Sequence, residues 1–235
     1  MLRPMTFRVL VIIVSIGLAI SGWSSRATAE PTMQVSVPDD AARMYSQGLN
    51  VTIGELFEVA VVINSDGHDV SRARFAMTEL RVLFPGVFRL GTYYPTPIAA
   101  NTLDGLVGQY DIVFNGCAPA CETLEVLRVT YLDMAGAISG DTLLAVSGLG
   151  PEEAGPKPTI SDCQGTAIAA PMGGPDATSS PDECNNPTTV PAGALWINGI
   201  CLLRSMASEA FTPYAACDAI VDNGRESVGV LKSRY

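Results

Sequence analysis

The sequence predicts an all-β protein, built as a two-layer antiparallel β-sandwich. Three observations support this prediction. About nine short segments alternate apolar and polar residues, clusters of Gly, Pro, Asn and Asp separate them, and helical periodicity is scarce. Many short strands joined by turns are typical of a sandwich or barrel, and the lack of βαβ spacing disfavours a parallel α/β fold.

The first residues have the features of a secretory signal peptide. Two arginines precede the apolar run 9–20, and the small residues 27–29 provide a cleavage site. The apolar run is shorter than the ~20 residues that a transmembrane helix needs. We therefore expect residues 1–29 to be removed and the mature chain to be secreted or periplasmic, without an integral membrane segment.

The predicted strands follow from apolar side chains at every second position. In the segment 55–64, for example, Phe57, Val59 and the next two odd-numbered residues fall on one face. The best helical patterns are short and lie at 39–49 and 204–211. The predicted strands are 32–37, 55–64, 71–77, 87–95, 108–114, 123–131, 141–150, 158–170 and 193–203.

One sandwich domain is expected over residues 30–201. The C-terminal extension 202–235 is locally basic, and it either docks on the sandwich or serves as a recognition or sorting segment. The segment 171–192 is rich in Pro and Gly and is predicted to be a surface loop before the last strand. The alternative is a linker between two domains, which the short remainder 194–235 disfavours because it cannot build a core alone.

All six cysteines follow the predicted signal peptide, and an even number in an exported chain favours disulfides. A metal site would need clustered Cys or His ligands, and a redox pair would need a C-x-x-C spacing; the chain offers neither. The first close pair would staple a hairpin made of the strands 108–114 and 123–131. Proximity in sequence suggests the pairs Cys117–Cys121, Cys163–Cys184 and Cys201–Cys217.

The charge balance excludes some classes of partner. Without the three arginines of the signal peptide, the chain has 11 basic and 24 acidic residues, which gives a formal charge of −13. Nucleic acids and anionic membranes attract basic surfaces, so we expect neither as a partner. Because the sequence contains no phosphate-binding glycine loop and no EF-hand, no cofactor is expected.

Signals for catalysis are weak. The single histidine, His68, lies in a turn, and the mature chain has no G-x-S-x-G or S-x-x-K motif for a nucleophile. Two well-placed carboxylates suffice for glycoside hydrolysis, so a carboxylate-dependent hydrolase remains an alternative. The main expectation is a protein without enzymatic activity.

Two groups of residues are candidates for binding. Asn64, Asp66 and Asp69 offer the oxygen ligands that Ca²⁺ takes, although a simple hairpin turn explains the same residues. Tyr93 and Tyr94 lie next to a proline, where aromatic rings can stack on sugars or peptides. The alternative for the tyrosines is that one ring faces the core while the other caps the strand end.

The order of these segments resembles that of cohesin-like domains. The segment 51–64 resembles the opening of the family, where a Val-x-x-Gly-(Asp/Glu) turn leads into an alternating strand, and 70–80 resembles the next strand. The segments 161–170 and 193–199 resemble the last two strands. The resemblance covers about residues 31–201.

This resemblance implies a jelly-roll-like sandwich that binds through a sheet face or its loops and has no catalytic activity. Cohesins bind dockerin modules, and related modules bind carbohydrate. The cysteines, the extension 202–235 and the lack of tandem modules depart from the family pattern. We therefore expect an exported, non-catalytic binding or cell-surface module with a protein or carbohydrate ligand. The alternatives are a secreted hydrolase and a purely structural exported protein.

Overall fold

Two β-sheets lie face to face. The structure, a computed structural model, describes residues 30–103, 105–119, 123–138, 142–149, 157–173, 177–178, 189–190, 192–198 and 211–213. Helical structure in these ranges is confined to α1 (Leu80–Leu83) and the 3₁₀ turn Gly105–Val107. The described strands are β1 (Thr32–Asp39), β2 (Met44–Ser46), β3 (Gly48–Leu49), β4 (Leu56–Asn64), β5 (Val70–Met77), β6 (Val87–Tyr93), β7 (Ile98–Asn101), β8 (Gln109–Ala118), β9 (Leu124–Asp133), β10 (Thr142–Leu144), β11 (Val146–Ser147), β12 (Thr159–Asp162), β13 (Ala167–Ala169), β14 (Ala177–Thr178), β15 (Thr189–Val190), β16 (Leu195–Ile197) and β17 (Phe211–Pro213).

The two large sheets are antiparallel. Sheet I has the strand order β17-β2-β1-β4-β9-β6, and sheet II has the order β13-β12-β5-β8-β7, with β11 also paired to β5. A smaller sheet has the order β10-β16-β3, and in it β16 runs parallel to β3. The predicted all-β, two-layer antiparallel sandwich is therefore confirmed.

The hydrophobic core lies between the two sheets. On β4, Val59, Val61 and Ile63 are fully buried, because every second side chain of a strand points to the same face. Sheet II contributes Phe75 and Tyr110, whose rings stack with their centroids 5.1 Å apart. Burying such large side chains is the main source of stability in a sandwich of this kind.

Every segment that was predicted to be a strand contains one. The predicted strand at 141–150 divides into β10 and β11, and the one at 158–170 divides into β12 and β13 around a turn. In that turn, the carboxylate of Asp162 accepts the backbone N–H groups of Gln164 and Thr166 at 3.0 and 2.7 Å.

The helix predicted at 39–49 is wrong. The Asp39 carboxylate accepts the backbone N–H groups of Ala41 and Ala42 at 3.0 and 2.9 Å, as a helix N-cap does, but the chain makes only a turn at 40–43. Arg43 then has a φ of 54°, a left-handed conformation that a helix does not contain. The chain continues into β2 and β3. The other helix, predicted at 204–211, lies outside the described residues apart from the start of β17.

The hairpin predicted between 108–114 and 123–131 is also wrong, because the two strands belong to different sheets. β8 lies in sheet II between β5 and β7, whereas β9 lies in sheet I between β4 and β6. The turn at 64–69 also joins different sheets, since it leads from β4 to β5. The alternation of apolar and polar residues identifies a strand and its buried face, but it does not identify which strand lies beside it in the sheet.

The disulfide that the structure describes joins Cys117 to Cys163, with the Cα atoms 5.8 Å apart. The predicted pairs Cys117–Cys121 and Cys163–Cys184 are therefore wrong. Proximity in sequence was a poor guide, because the bridge links residues that are 46 positions apart.

The sheet order explains why these two cysteines meet. β5 lies between β8 and β12 and begins at Val70, whose neighbours on the two flanking strands are Ala118 and Asp162. Cys117 is next to Ala118 at the end of β8, and Cys163 directly follows Asp162 of β12, so both lie where β5 starts. The disulfide consequently joins the two neighbours of β5 at the end of sheet II.

Some predictions concern residues outside the described ranges. They include the signal peptide at 1–29, the pair Cys201–Cys217 and the extension 202–235 apart from β17. Most of the loop 171–192 is outside as well, although β14 and β15 within it pair with each other. Among the described residues, no helix has the length and apolar character that a membrane span requires.

Candidate functional site

The outer face of sheet II carries two arginines at its centre. On β5, Ala73 and Phe75 point into the core, so Arg72 and Arg74 point outward. Their side chains are 40% and 29% exposed. Because β5 has strands on both sides, the two arginines lie in the middle of the sheet face.

Asp111 on the neighbouring β8 fixes these arginines. Nε and Nη2 of Arg72 each donate to one oxygen of the carboxylate at 2.5 Å, and Nε of Arg74 lies 3.4 Å from Oδ2. The Thr102 hydroxyl donates to the same carboxylate at 3.0 Å. Burial alone would raise the pKa of Asp111, but the hydrogen bonds from Arg72 and Thr102 lower it below its usual range. The Asp111 carboxylate therefore stays ionised at neutral pH, and its charge and those of the two guanidinium groups sum to +1.

Small side chains surround the arginines on this face. Across the sheet, Thr159 lies opposite Arg74 and Ser161 lies opposite Arg72, so all four side chains share the outer face. The edge strand β13 adds two exposed alanines, Ala167 and Ala169, opposite Ser161 and Thr159. Small-molecule sites are concave, whereas the outer face of a sheet that carries small side chains suits contact with another protein.

The outer face of sheet I has the opposite charge. Arg128 on β9 is buried and binds three carboxylates: Glu125 at 2.6 Å, Asp40 at 2.9 Å and Glu58 at 3.1 Å. The Tyr45 hydroxyl donates to Glu125 at 2.9 Å. Burial alone would lower the pKa of Arg128, but Glu125 and Asp40 raise it above its ordinary value. One positive and three negative groups give this acidic cluster a net charge of −2.

An apolar row lies beside the acidic cluster. Leu56, Leu132 and Phe88 are direct neighbours across β4, β9 and β6, so they share the outer face of sheet I. Leu132 is half-buried, whereas Leu56 and Phe88 are 38% and 53% exposed. Glu58 is two residues beyond Leu56 on β4 and therefore borders the row. Adjacent exposed apolar side chains are typical of a surface that another segment or protein covers.

The two candidate tyrosines have different environments. Tyr93, the last residue of β6, is 41% exposed and lies opposite Arg128 on β9. Tyr94 is half-buried and packs against the core, and its hydroxyl accepts a hydrogen bond from Nδ2 of Asn101 at 3.3 Å. Of this pair, Tyr93 presents its ring to solvent, and ligand binding by either tyrosine stays a prediction.

The candidate calcium ligands Asn64, Asp66 and Asp69 lie in the turn that joins the two sheets. Oδ1 of Asn64 accepts the backbone N–H of Asp66 at 3.2 Å, and the N–H of His68 donates to the Ser65 carbonyl at 3.0 Å. Within the described ranges, no three His, Cys, Asp or Glu side chains group as ligands for a metal ion. Calcium binding at this turn stays a prediction.

Asp133 is a buried carboxylate outside these two charged clusters. Its Oδ1 accepts the backbone N–H groups of Ala135 and Ala137 at 3.1 and 2.9 Å, and its Oδ2 accepts that of Ile138 at 3.1 Å. Burial alone would raise the pKa of Asp133, but these backbone amides lower it below its usual range. The carboxylate holds the turn after β9, which is a structural role.

Sequence reasoning did not select the arginine pair or Asp111 as site residues. The signal for the arginines was present, because an Arg-x-Arg pattern in an alternating strand places both side chains on the outward face. The contribution of Asp111 depends on the register of β5 against β8, in which Arg74 lies opposite Asp111. That register is a tertiary feature and has no local signal.

No protein-family model and no curated protein matches the chain. Among solved structures, it is similar to several cohesin modules. The cohesin module of a family 33 glycoside hydrolase from Clostridium perfringens ATCC13124 is 9% identical, with a TM-score of 0.38, over 73% of this chain and 98% of that chain. A non-cellulosomal cohesin from the hyperthermophilic archaeon Archaeoglobus fulgidus is 12% identical, with a TM-score of 0.36, over 61% of this chain and 86% of that chain.

The third ScaB cohesin of R. flavefaciens, in a complex with a group 1 dockerin, is 12% identical, with a TM-score of 0.39, over 74% of this chain and 98% of that chain.

Proposed function

We propose that this chain is an exported, non-catalytic module that binds a protein partner through the outer face of sheet II. The observation that carries this proposal is the partly exposed pair Arg72 and Arg74, which Asp111 holds at the centre of the outer face of sheet II. The partner presents acidic side chains to this face.

The geometry suits protein recognition for two reasons. Arginine is enriched among the residues that contribute most to binding at protein interfaces. The contacts with Asp111 already restrict both arginines, so less side-chain entropy is lost when a partner binds. The two neighbouring arginines stand out on a chain whose formal charge is −13 without residues 1–29, and they favour an acidic partner at this face.

Export is supported by two independent features. Residues 1–29 have the order of a signal peptide, with a basic start, an apolar run and small residues at the end. The disulfide between Cys117 and Cys163 fits an oxidising compartment, because cytosolic proteins rarely keep such bonds.

The proposal can be tested with the chain from residue 30 to residue 235. This protein is immobilised, partners are captured from culture supernatant, and the affinity of each purified partner is measured by calorimetry. Arg74→Ala should weaken binding about tenfold or more, since truncation of a central interface arginine commonly has this effect. This change leaves the bidentate pair of Arg72 with Asp111 intact, so the fold is retained.

A charge-matched control is Arg43→Ala, which removes an exposed arginine from the loop between β1 and β2. Ala169→Glu on β13 adds a bulky negative group to the proposed face without touching the core, and it should weaken binding as well. Equal affinities for the parent chain, Arg74→Ala and Ala169→Glu would rule out this face as the binding surface.

A further inference from the structure

The Cys117–Cys163 disulfide lies at the surface of the sandwich. Cys117 is exposed and Cys163 is half-buried, so a small thiol in solution can reach the bridge. Exposed disulfides are the labile ones in exported proteins, whereas buried structural disulfides resist reduction. This bridge is therefore open to thiol–disulfide exchange.

The bridge ties the hairpin of β12 and β13 to the rest of sheet II. β12 contributes Thr159 and Ser161, which lie opposite Arg74 and Arg72 on β5. β13 adds its two exposed alanines beyond them. The hairpin therefore forms one side of the outer face that the proposed partner binds.

This hairpin is anchored less firmly than the strand on the other side of β5. β12 has four residues, whereas β8 has ten. Ile160 is the buried residue of β12 and β13, whereas β8 buries Tyr110 and Phe114 among others. Segments with few buried apolar side chains are the ones that open first in a native protein. The hairpin is thus the side of β5 that separates more easily.

The pairing of β12 with β5 is irregular next to the bridge. The register shifts between Ser161 and Asp162, which interrupts the regular ladder at this end of the strand. There the hydroxyl of Ser71 donates to the carbonyl of Asp162 at 2.6 Å. Cys163 is the next residue, so the disulfide secures the end of β12 at which the ladder is interrupted.

From these observations we propose that the Cys117–Cys163 disulfide is a redox switch for the outer face of sheet II. A dithiol reductant opens the bridge, the hairpin of β12 and β13 separates from β5, and the face loses the order that partner binding needs. This regulation rests on the proposed function, because it concerns the same face.

The reductant itself balances the exchange reaction. One thiolate of the dithiol attacks Sγ of exposed Cys117, forms a mixed disulfide and expels the thiolate of Cys163. The second thiolate of the reductant then attacks the reductant's own sulfur in the mixed disulfide and expels Cys117. Two electrons pass from the dithiol to the protein, and the two protons of the dithiol end on the two cysteines. The reductant is released as a cyclic disulfide.

Hydrogen exchange measured by mass spectrometry tests the switch without a partner. The chain from residue 30 to residue 235 is compared before and after treatment with dithiothreitol. On reduction, the exchange rate of amides in β12 and β13, relative to that of amides in β4 and β9, should rise about tenfold or more. The comparison with the two strands of sheet I separates opening of the hairpin from a general loss of stability.

A double variant assigns the effect to this bridge. Cys117→Ser together with Cys163→Ser should show the same relative rise without reductant, and dithiothreitol should then add nothing in β12 and β13. Cys121→Ser is the matched control, because it removes a nearby cysteine and leaves the bridge intact. It should behave like the parent chain in both redox states.

Exchange that rises equally in β12, β13, β4 and β9 would overturn the proposal, since the bridge would then stabilise the whole sandwich and not the hairpin. The absence of any rise, both in the reduced parent chain and in the double variant, would overturn it as well. A rise confined to β12 and β13 supports the switch.

Calorimetry with a purified partner from the capture experiment relates the switch to binding. The double variant should bind about tenfold more weakly than the parent chain and Cys121→Ser, because the ordered face is lost. Equal affinities, together with weaker binding of Arg74→Ala, would refute the switch and leave the proposed function standing. A relative rise in β12 and β13 with no effect of Arg74→Ala on binding would refute the proposed function alone.

Discussion

Removal of the Cys117–Cys163 disulfide is the sharpest test of the sheet arrangement. The change is the double substitution Cys117→Ser and Cys163→Ser, which leaves neither cysteine free to pair elsewhere. The bridge closes a loop of 46 residues, and the chain-entropy estimate for a loop of that length is about 4 kcal/mol. A bridge from Cys117 to Cys121 would close a much shorter loop and would contribute only about 2 kcal/mol.

The assay is urea unfolding of the chain from residue 30 to residue 235, followed by circular dichroism. The free energy of unfolding of the double variant is compared with that of the parent chain under oxidising conditions. Non-reducing peptide mapping by mass spectrometry identifies which cysteine is joined to Cys117. We expect a Cys117–Cys163 peptide and a loss near the larger value.

Two results would refute the reasoning. A mapped Cys117–Cys121 peptide would show that Cys117 of β8 and Cys163 after β12 do not come together at the start of β5. A confirmed Cys117–Cys163 bridge with a loss below about 1 kcal/mol would show that loop closure does not govern stability here. Cys121→Ser is the control, because it leaves the described bridge intact.

Two further predictions concern buried charges. Asp133→Asn should lower the free energy of unfolding at pH 7 by about 1–3 kcal/mol, because three backbone amides lose a charged acceptor. Since the folded pKa of Asp133 is below its unfolded value, the stabilisation is complete above about pH 4 and is lost in more acidic solution, so urea midpoints of parent and variant should converge there. Arg128→Met should cost about 3–5 kcal/mol in urea unfolding, because the buried Glu125 loses its partner; a loss below about 1 kcal/mol would contradict a buried pair.

The strands could be predicted from the sequence because each one has a buried face. On β4, the odd-numbered residues from Phe57 to Ile63 are apolar and buried, and this local pattern is sufficient to identify a strand. The pattern is the same whichever strand lies beside it. The pairing of β8 with β5 and β7, and of β9 with β4 and β6, therefore had to come from the structure.

Asn115-Gly116 shows how a local signal can mislead. This dipeptide commonly forms a hairpin turn, and here it suggested one between two strands. In the structure it lies within β8, and Gly116 has a φ of 96° at an irregularity where the register against β5 shifts. A residue with positive φ is needed at a bulge as well as in a turn, so the sequence alone did not distinguish them.

The helix predicted at 39–49 failed for a different reason. Its apolar residues include Tyr45, which packs with Ala60 and Val62 on the outer face of sheet I and donates to Glu125. The helix-like spacing of apolar residues comes from a turn followed by the short strand β2, which pairs with β1 in sheet I. Tertiary packing overrode the local preference.

The two outer faces of the sandwich use the same pair of chemical groups in opposite proportions. In sheet II, one carboxylate, Asp111, is shared by Arg72 and Arg74, which leaves positive charge at the surface. In sheet I, the single Arg128 is shared by three carboxylates, which leaves negative charge. The acidic partner that we propose is therefore expected to bind sheet II and to be repelled by the acidic cluster of sheet I.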